Sequence, residues 1–171
     1  MADYERINNL KKQKQYLKIA RAALNKYIKE ITPLSFNNPN NKPFYYVLDG
    51  RLILANGYTV YVFNSDELLT KKQKNKLDDM FEERALKFYH ELQRYDEMLQ
   101  FPVLDFDKDN LGKVMLGTNN EVQEFYIDNF SLVKKLLGES TEYYLCKRND
   151  ACIAKSEKGK GLILGAGKRF Y

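Results

Sequence analysis

The chain has 171 residues, of which 44% are hydrophobic and 30% charged, with a net charge of +5 and a pI near 9.0. These proportions are those of a globular protein rather than a disordered one, and the length suits a single domain. No run approaches the about 20 apolar residues that a membrane span requires, and residues 1–18 lack the apolar stretch of a secretory signal. We therefore expect a cytoplasmic protein that does not enter a membrane.

The first predicted element is a long amphipathic helix in the segment 1–31. Its apolar stripe repeats every seven residues, and other apolar side chains fill the same stripe: Leu10, Leu17, Leu24 and Ile31, with Ile7, Ala20, Tyr27 and Ile28. Thr32 precedes Pro33 and ends the helix, because the residue before a proline avoids the helical region.

Three antiparallel strands are predicted in the segment 43–64. Residues 44–48 and 51–55 are joined by Asp49-Gly50, which suits the tight type I′ turn of a hairpin. Asn56-Gly57 then leads into a third strand over 58–63.

A long central helix is predicted over 65–100. Ser65 is its expected N-cap, with Asp66 and Glu67 at the positive end of the helix dipole. One apolar face runs along it: Leu77, Phe81, Phe88, Leu92, Tyr95 and Leu99. Unbroken over 70–100, this helix would be roughly 45 Å long.

The segment 101–171 is predicted to hold strands and one short helix. The helix covers 129–137 and ends at Gly138. The strands lie around 103–106, 113–116, 122–126, 142–147, 151–155 and 161–164. The whole pattern indicates a single-domain α+β fold with antiparallel sheets.

No arrangement of residues typical of catalysis is recognised. His90, the one histidine, has no partner in a motif and is expected on a helix surface. The glycines of 159–167 lack the spacing, and Lys168 lacks the following Ser or Thr, of a phosphate-binding loop. We therefore expect no catalytic residue and no cofactor.

Asp105, Asp107 and Asp109 are spaced like the start of a calcium-binding loop. The pattern then fails, because Asn110 stands where the loop needs glycine and Leu116 where it needs glutamate. A polar hairpin turn without a metal is the interpretation that we favour.

The two cysteines, Cys146 and Cys152, have no His or Cys nearby, which is not the pattern of a zinc site. They are placed to face each other across a predicted hairpin, so a disulfide is one alternative. Without an export signal, two reduced thiols are the other, and we expect the latter.

Adjacent tyrosines in the predicted strands point to opposite faces of a sheet, so some of them are expected at the surface: Tyr45, Tyr46, Tyr58, Tyr61, Tyr143 and Tyr144. Exposed aromatic side chains on strands stack on bases or anchor partners, and they are also ordinary sheet formers.

The charges of the first helix are organised. Five cations gather on a face that flanks the apolar stripe and carries no acid: Lys11, Lys14, Lys18, Arg21 and Lys29. Such a face suits contact with a phosphate backbone, and it is equally compatible with a solvated helix surface.

The segment 125–137, FYIDNFSLVKKLL, reads as a strand followed by a helix. It is similar to the strand-then-helix passage near the end of a repeat of the bacterial DNA sliding clamps, the polymerase III beta-like family. The similarity continues through strands at 143–147 and 151–155, a charged turn at 156–160 and the apolar residues 162–164. Towards the front, the segment 46–58, YVLDGRLILANGY, looks like the opening of the same repeat.

The resemblance implies a fold with strands outside and two helices on an inner wall that faces DNA. It places Lys11, Lys14, Lys18 and Arg21 of the first helix and Lys134 and Lys135 of the short helix on that wall. Clamp chains carry two or three repeats, whereas this chain has the length of one. The helix over 65–100 has no counterpart in a clamp repeat and would be an insertion.

The leading hypothesis is a non-enzymatic accessory protein of DNA replication, with a clamp-like fold, that binds double-stranded DNA irrespective of sequence. The abundance of Asn, Lys, Tyr and Ile is consistent with the AT-rich genome of a phage or mobile element. The alternative is a helix-mediated interaction protein or homo-oligomer that does not bind DNA, with the leucine repeat of the first helix and the long central helix as a dimer seam. A third hypothesis is an enzyme that uses Asp105, Asp107 and Asp109 as acids.

Overall fold

The computed structural model describes residues 2–29, 43–108, 112–118, 122–146 and 151–166. Its helices are α1 (Ala2–Lys29), α2 (Lys71–Asn75), α3 (Glu82–Asp96), α4 (Ile127–Phe130) and α5 (Val133–Leu137), with a 3₁₀ turn at Asp79–Phe81. Its strands are β1 (Phe44–Leu48), β2 (Arg51–Ala55), β3 (Thr59–Phe63), β4 (Gln100–Pro102), β5 (Asp105–Lys108), β6 (Lys113–Gly117), β7 (Val122–Tyr126), β8 (Glu142–Cys146), β9 (Ala151–Ser156) and β10 (Gly159–Leu164).

Within these ranges the strands form two antiparallel sheets. The larger has seven strands in the order β1-β2-β3-β10-β9-β8-β4, and the smaller has three in the order β5-β6-β7. The predicted three-stranded meander is confirmed, and Asp49 and Gly50 both have positive φ, 50° and 77°, as a type I′ turn requires. The α+β class with antiparallel sheets is confirmed.

The large sheet is covered on both faces. Alternate residues of β2 point to opposite sides: Leu52 and Leu54 join the core beneath α1, α5 and the small sheet, whereas Ile53 joins the core beneath α3. On one side Leu24 of α1 packs into the core, and on the other side Phe88 of α3 does so. The sheet is therefore the middle layer, with α1 and α5 together on one of its faces.

Covering both faces overturns the expectation of exposed strand tyrosines. Tyr61 is 1% exposed and Tyr46 is 8% exposed, and the other four in those strands and turns are half-buried. Tyr46 and Tyr61 belong to the two cores, and Tyr45 and Tyr143 pack against the core beneath α1, so these four rings are not free for stacking on bases.

The predicted long helix over 65–100 is wrong. Thr70, not Ser65, is the N-cap of α2, and its hydroxyl accepts from the Gln73 amide while the Gln73 side chain accepts from the Thr70 amide. This capping box starts a helix that ends after Asn75. Asp78 then caps the 3₁₀ turn by accepting from the Met80 amide.

The apolar spacing misled because separate pieces share one core. Leu77, Phe81 and Phe88 all pack against the core beneath α3, although they belong to different elements. The helical spacing of the apolar residues therefore continues across the points at which the helix is interrupted. The end of the segment is extended instead of helical, since β4 pairs with β8.

In the rest of the chain, the helices and strands differ from the predicted ones in small ways. The predicted helix over 129–137 is two short helices, α4 and α5, and Gly138 ends α5 with a φ of 98° as expected of a terminating glycine. The strand expected at 103–106 begins at Asp105. The predicted bounds at Ile31 and Lys147 lie outside the described residues.

Cys146 and Cys152 are on neighbouring strands but do not face each other. Both are free and fully buried, Cys146 in the core beneath α3 and Cys152 in the core beneath α1. The sheet lies between the two side chains, so the facing arrangement is wrong and the expectation of unbridged thiols is confirmed. Among the described residues no helix is long and apolar enough to cross a membrane.

Candidate nucleic-acid interface

Helix α1 has two parts that meet at Gln13. Residues 3–12 are exposed on every side, whereas from Gln13 onward one side of the helix is packed on the domain. The apolar spacing predicts one continuous stripe along the helix, but at its start Ile7 is 51% exposed and Leu10 is 54% exposed. The first three turns therefore extend beyond the domain, and we call residues 3–12 the arm of α1.

Buried tyrosines hold the second part of α1 in place. The Tyr16 hydroxyl donates to the main-chain oxygen of Leu136 at 2.6 Å, which ties α1 to α5. Further along, the hydroxyls of Tyr27 and Thr59 share a buried hydrogen bond of 2.7 Å. Burial raises the pKa of both tyrosines well above the usual range, so both remain neutral donors at any physiological pH.

The basic face of α1 is turned to solvent. Lys11, Lys14 and Lys18 are exposed, as predicted from the wheel. The Arg21 guanidinium is exposed but is also anchored, because Nη2 donates to the main-chain oxygen of Glu67 at 2.8 Å. The side chain of Lys29, the fifth predicted member, lies outside the described residues.

Helix α5 brings two further cations to the same side of the protein. Val133, Leu136 and Leu137 are fully buried, so the intervening Lys134 and Lys135 must point outward, and both are exposed. Because α1 and α5 cover the same face of the large sheet and pack against one core, their solvent-facing lysines project from one layer. Residues more than a hundred positions apart in the sequence are thus brought together.

Lys158, in the turn between β9 and β10, also reaches this layer. Its Nζ lies 4.7 Å from the centre of the Tyr16 ring and donates to Gln13 Oε1 at 2.7 Å. It also lies 4.0 Å from a carboxylate oxygen of Glu67, the residue whose main-chain oxygen accepts from Arg21. Nothing in the sequence around Lys158 indicated this position, since it depends on how β10 pairs.

Two further lysines of α1, Lys12 and Lys26, are exposed but do not belong to the predicted basic face. By helical angle both lie between the predicted basic face and the side that contacts α5.

The other polar side chains that the sequence singled out are poorly placed for catalysis or metal binding. His90 is exposed on α3, with Nδ1 3.3 Å from Gln93 Oε1. Asp105 and Asp107 are exposed on β5, and Asp109 lies outside the described residues. No group of His, Cys, Asp and Glu suited to a metal ion occurs among the described residues.

A groove of about 280 Å³ beside α3 contains one strongly paired carboxylate. Asp96 accepts from Lys160 and lies 2.9 Å from Lys155 Nζ, and Gln100 also donates to it. Burial alone would raise the pKa of Asp96, but the hydrogen bonds from these three residues outweigh it and lower the pKa. A carboxylate held ionised in this way is a poor general base, and its evident role is to link α3 to β9 and β10.

No family model, curated protein or solved structure matches this chain significantly. The functional argument therefore depends on the geometry of the α1 and α5 layer.

Proposed function

We propose that this chain is a non-enzymatic DNA-associated accessory protein, which binds the phosphate backbone of duplex DNA through the outer surface of α1 and α5. The basic surface of this proposal consists of Lys11, Lys14, Lys18, Arg21, Lys134 and Lys135. One observation carries it: exposed cations from two helices distant in sequence share one side of one sheet, where their helices are joined by the Tyr16–Leu136 hydrogen bond.

The spacing of the cations fits a repeating polyanion. Lys11, Lys14 and Lys18 extend over about 10 Å along the axis of α1. Duplex DNA presents one charge per about 1.7 Å of its length, so several phosphates lie within reach of such a row. The side chains are long and exposed, so they give electrostatic attraction without reading base edges. Binding of this kind is independent of sequence.

The placement of α1 and α5 on one sheet face also supports the clamp-like part of the proposal. In the clamp-like arrangement these helices form the DNA-facing wall, and the strands lie behind them. Helix α3 covers the opposite face of the sheet and would be on the outside of such an assembly. It therefore leaves the proposed DNA-facing surface uncovered.

Salt dependence provides the first test of the proposal. Fluorescence anisotropy would be measured with two duplexes of equal length and unrelated sequence over a range of salt concentrations. We expect equal affinities for the two duplexes and a linear fall of the logarithm of affinity with the logarithm of salt, with a slope of about −0.9 per phosphate contacted. Absence of binding at low salt, or strong preference for one sequence, would contradict the proposal.

The arm of α1 favours a second candidate, protein–protein docking without DNA. Tyr4 is 71% exposed, and Ile7 and Leu10 are more than half exposed. The leucine seam first considered is not available in full, because Leu24 is fully buried in the domain and Leu17 packs against the same core. Docking by α1 is thus restricted to the arm and the residues next to it.

A further inference from the structure

One stripe of α1, along the arm and the first residues after it, combines apolar and oppositely charged side chains. Asp3, Ile7, Leu10 and Lys14 follow one another at intervals of four, three and four residues. That spacing is the heptad pattern of helices that pair side by side, so the four side chains share one face. All four are exposed, and no salt bridge involves Asp3 or Lys14 within the described ranges.

We propose that this stripe, which we call the pairing stripe, binds the same stripe of a second copy of the chain, with the two helices antiparallel. The inference does not require DNA binding, although it shares Lys11 and Lys14 with the basic surface, and it gives the docking alternative a specific partner. It rests on the self-complementarity of the four residues. When two copies of the stripe run in opposite directions, each acid lies opposite a base and each apolar residue lies opposite an apolar residue.

The pairing can be stated residue by residue. A two-fold axis midway between Ile7 and Leu10 sets Ile7 against the partner's Leu10, and Leu10 against the partner's Ile7. The same axis sets Asp3 against the partner's Lys14 at both ends. The centre is thus apolar, with an ion pair closing each end. A two-fold interface of this kind uses the same patch on both copies.

Charges beside the pairing stripe are compatible with this arrangement. Tyr4 and Lys11 lie on one flank. There the ring of Tyr4 faces the ammonium group of the partner's Lys11, and the two can form a cation–π contact. Arg6 lies on the other flank, towards the partner's Gln13. The two cations Arg6 and Lys11 are therefore kept on different sides of the pair.

A parallel pair of arms is disfavoured by the same charges. It would place Asp3 against the partner's Asp3 and Lys14 against the partner's Lys14, so both ends would carry like charges.

The contact is small. Stable specific complexes usually bury about 1,600 Å², more than two short helical segments provide, so we expect a weak dimer in rapid exchange. Pairing uses the stripe through Lys14, whereas Lys18 and Lys135 are outside it. The proposal can therefore be tested without altering most of the basic surface.

The decisive experiment is sedimentation equilibrium of the full chain without DNA, followed by a charge-exchange test. Wild type should approach twice the chain mass of 20.1 kDa as concentration rises. Asp3→Lys alone and Lys14→Asp alone should each remain monomeric, because both ends of their homodimers carry like charges. An equimolar mixture of the two variants should dimerise again, since every end of the mixed dimer then pairs a base with an acid.

Matched variants separate pairing from unfolding. Ile7→Ser should abolish the dimer, whereas Met80→Ser, at a residue that is 72% exposed but far from the stripe in sequence, should not. Circular dichroism should show that each variant is folded. A wild-type chain that stays monomeric up to about 1 mM would overturn the proposal, because even weak transient pairs associate in that range.

A dimer unaffected by Ile7→Ser, or one that the mixture fails to restore, would also overturn it. The outcome is independent of the DNA proposal, since a Lys18→Glu/Lys135→Glu variant should still dimerise. Loss of DNA binding in that variant with retention of the dimer would support both proposals separately.

Discussion

The hydroxyl of Tyr16 donates a hydrogen bond of 2.6 Å to the main-chain oxygen of Leu136, across 120 positions of sequence. This bond joins the start of the packed part of α1 to α5, whose carbonyl groups near the helix end have no partner within the helix. It therefore sets the position of Lys134 and Lys135 relative to the lysines of α1.

Tyr16→Phe should lower the free energy of unfolding by about 1–2 kcal/mol, because the Leu136 carbonyl loses its donor in a half-buried place. Urea denaturation followed by circular dichroism measures the change. Tyr126→Phe is the matched control, at a tyrosine that is 43% exposed, and its effect should stay within about 0.5 kcal/mol. Equal losses of stability in the two variants would show that the Tyr16–Leu136 hydrogen bond does not stabilise the fold.

Asp96 should stabilise the fold in a pH-dependent way. Its pKa is lower in the folded protein than in the unfolded chain, so its contribution is complete above the unfolded value of about 3.9 and is lost as pH falls through the folded value. Asp96→Asn should therefore cost about 1–3 kcal/mol at pH 7 and progressively less below pH 4.

The measurement for Asp96 is urea denaturation of both proteins at pH 7, 5, 4 and 3. The quantity to compare is the difference in free energy of unfolding between wild type and Asp96→Asn, because the other carboxyl groups titrate in both proteins. A difference that stays constant from pH 7 to pH 3 would show that the ion pairs with Lys155 and Lys160 do not stabilise the fold.

Both cysteines should be unreactive in the native protein. Burial raises the pKa of Cys146 to about 11 and that of Cys152 well above its usual range, so neither forms the reactive thiolate near neutral pH. A disulfide reagent at pH 8 should label neither thiol in buffer and both in urea. Met80→Cys provides an exposed thiol as a positive control. Rapid labelling of either native cysteine would contradict the described packing.

Gly159 should tolerate no side chain. A Cβ at this position would lie 2.3 Å from the Val62 main-chain oxygen, so β10 and β3 would have to separate. Gly159→Ala should cost about 2–4 kcal/mol. Gly50→Ala, where φ is 77° but the surrounding space is open, should cost only about 1–2 kcal/mol. Thermal denaturation of the two variants tests that order, and a reversed order would count against the close approach of β10 to β3.

The local features of the fold were accessible from sequence. Asp49-Gly50 specified the first hairpin because few dipeptides adopt two positive φ angles. The break in the central helix was also encoded, in the capping box of Thr70 and Gln73, but the continuous apolar period concealed it. A search for caps inside apolar runs would have found it.

Long-range features were not accessible. The pairing of β10 with β3 brings Lys158 to Tyr16, and no local pattern specifies that pairing. The exposure of Ile7 and Leu10 was missed for a similar reason. Periodicity shows which side chains share a face, but only the size of the domain decides how far along α1 that face is covered.

Charge reversal on the basic surface tests the central proposal most directly. Lys18→Glu/Lys135→Glu would be compared with Lys87→Glu/Arg94→Glu, which makes the same change in net charge on α3, across the sheet. Duplex DNA affinity would be measured by fluorescence anisotropy at constant low salt. We expect the first variant to lose at least about tenfold in affinity and about two units of salt slope, and the second to change little. Equal affinities of both variants and wild type, or equal losses in both variants, would contradict a DNA-binding surface on α1 and α5.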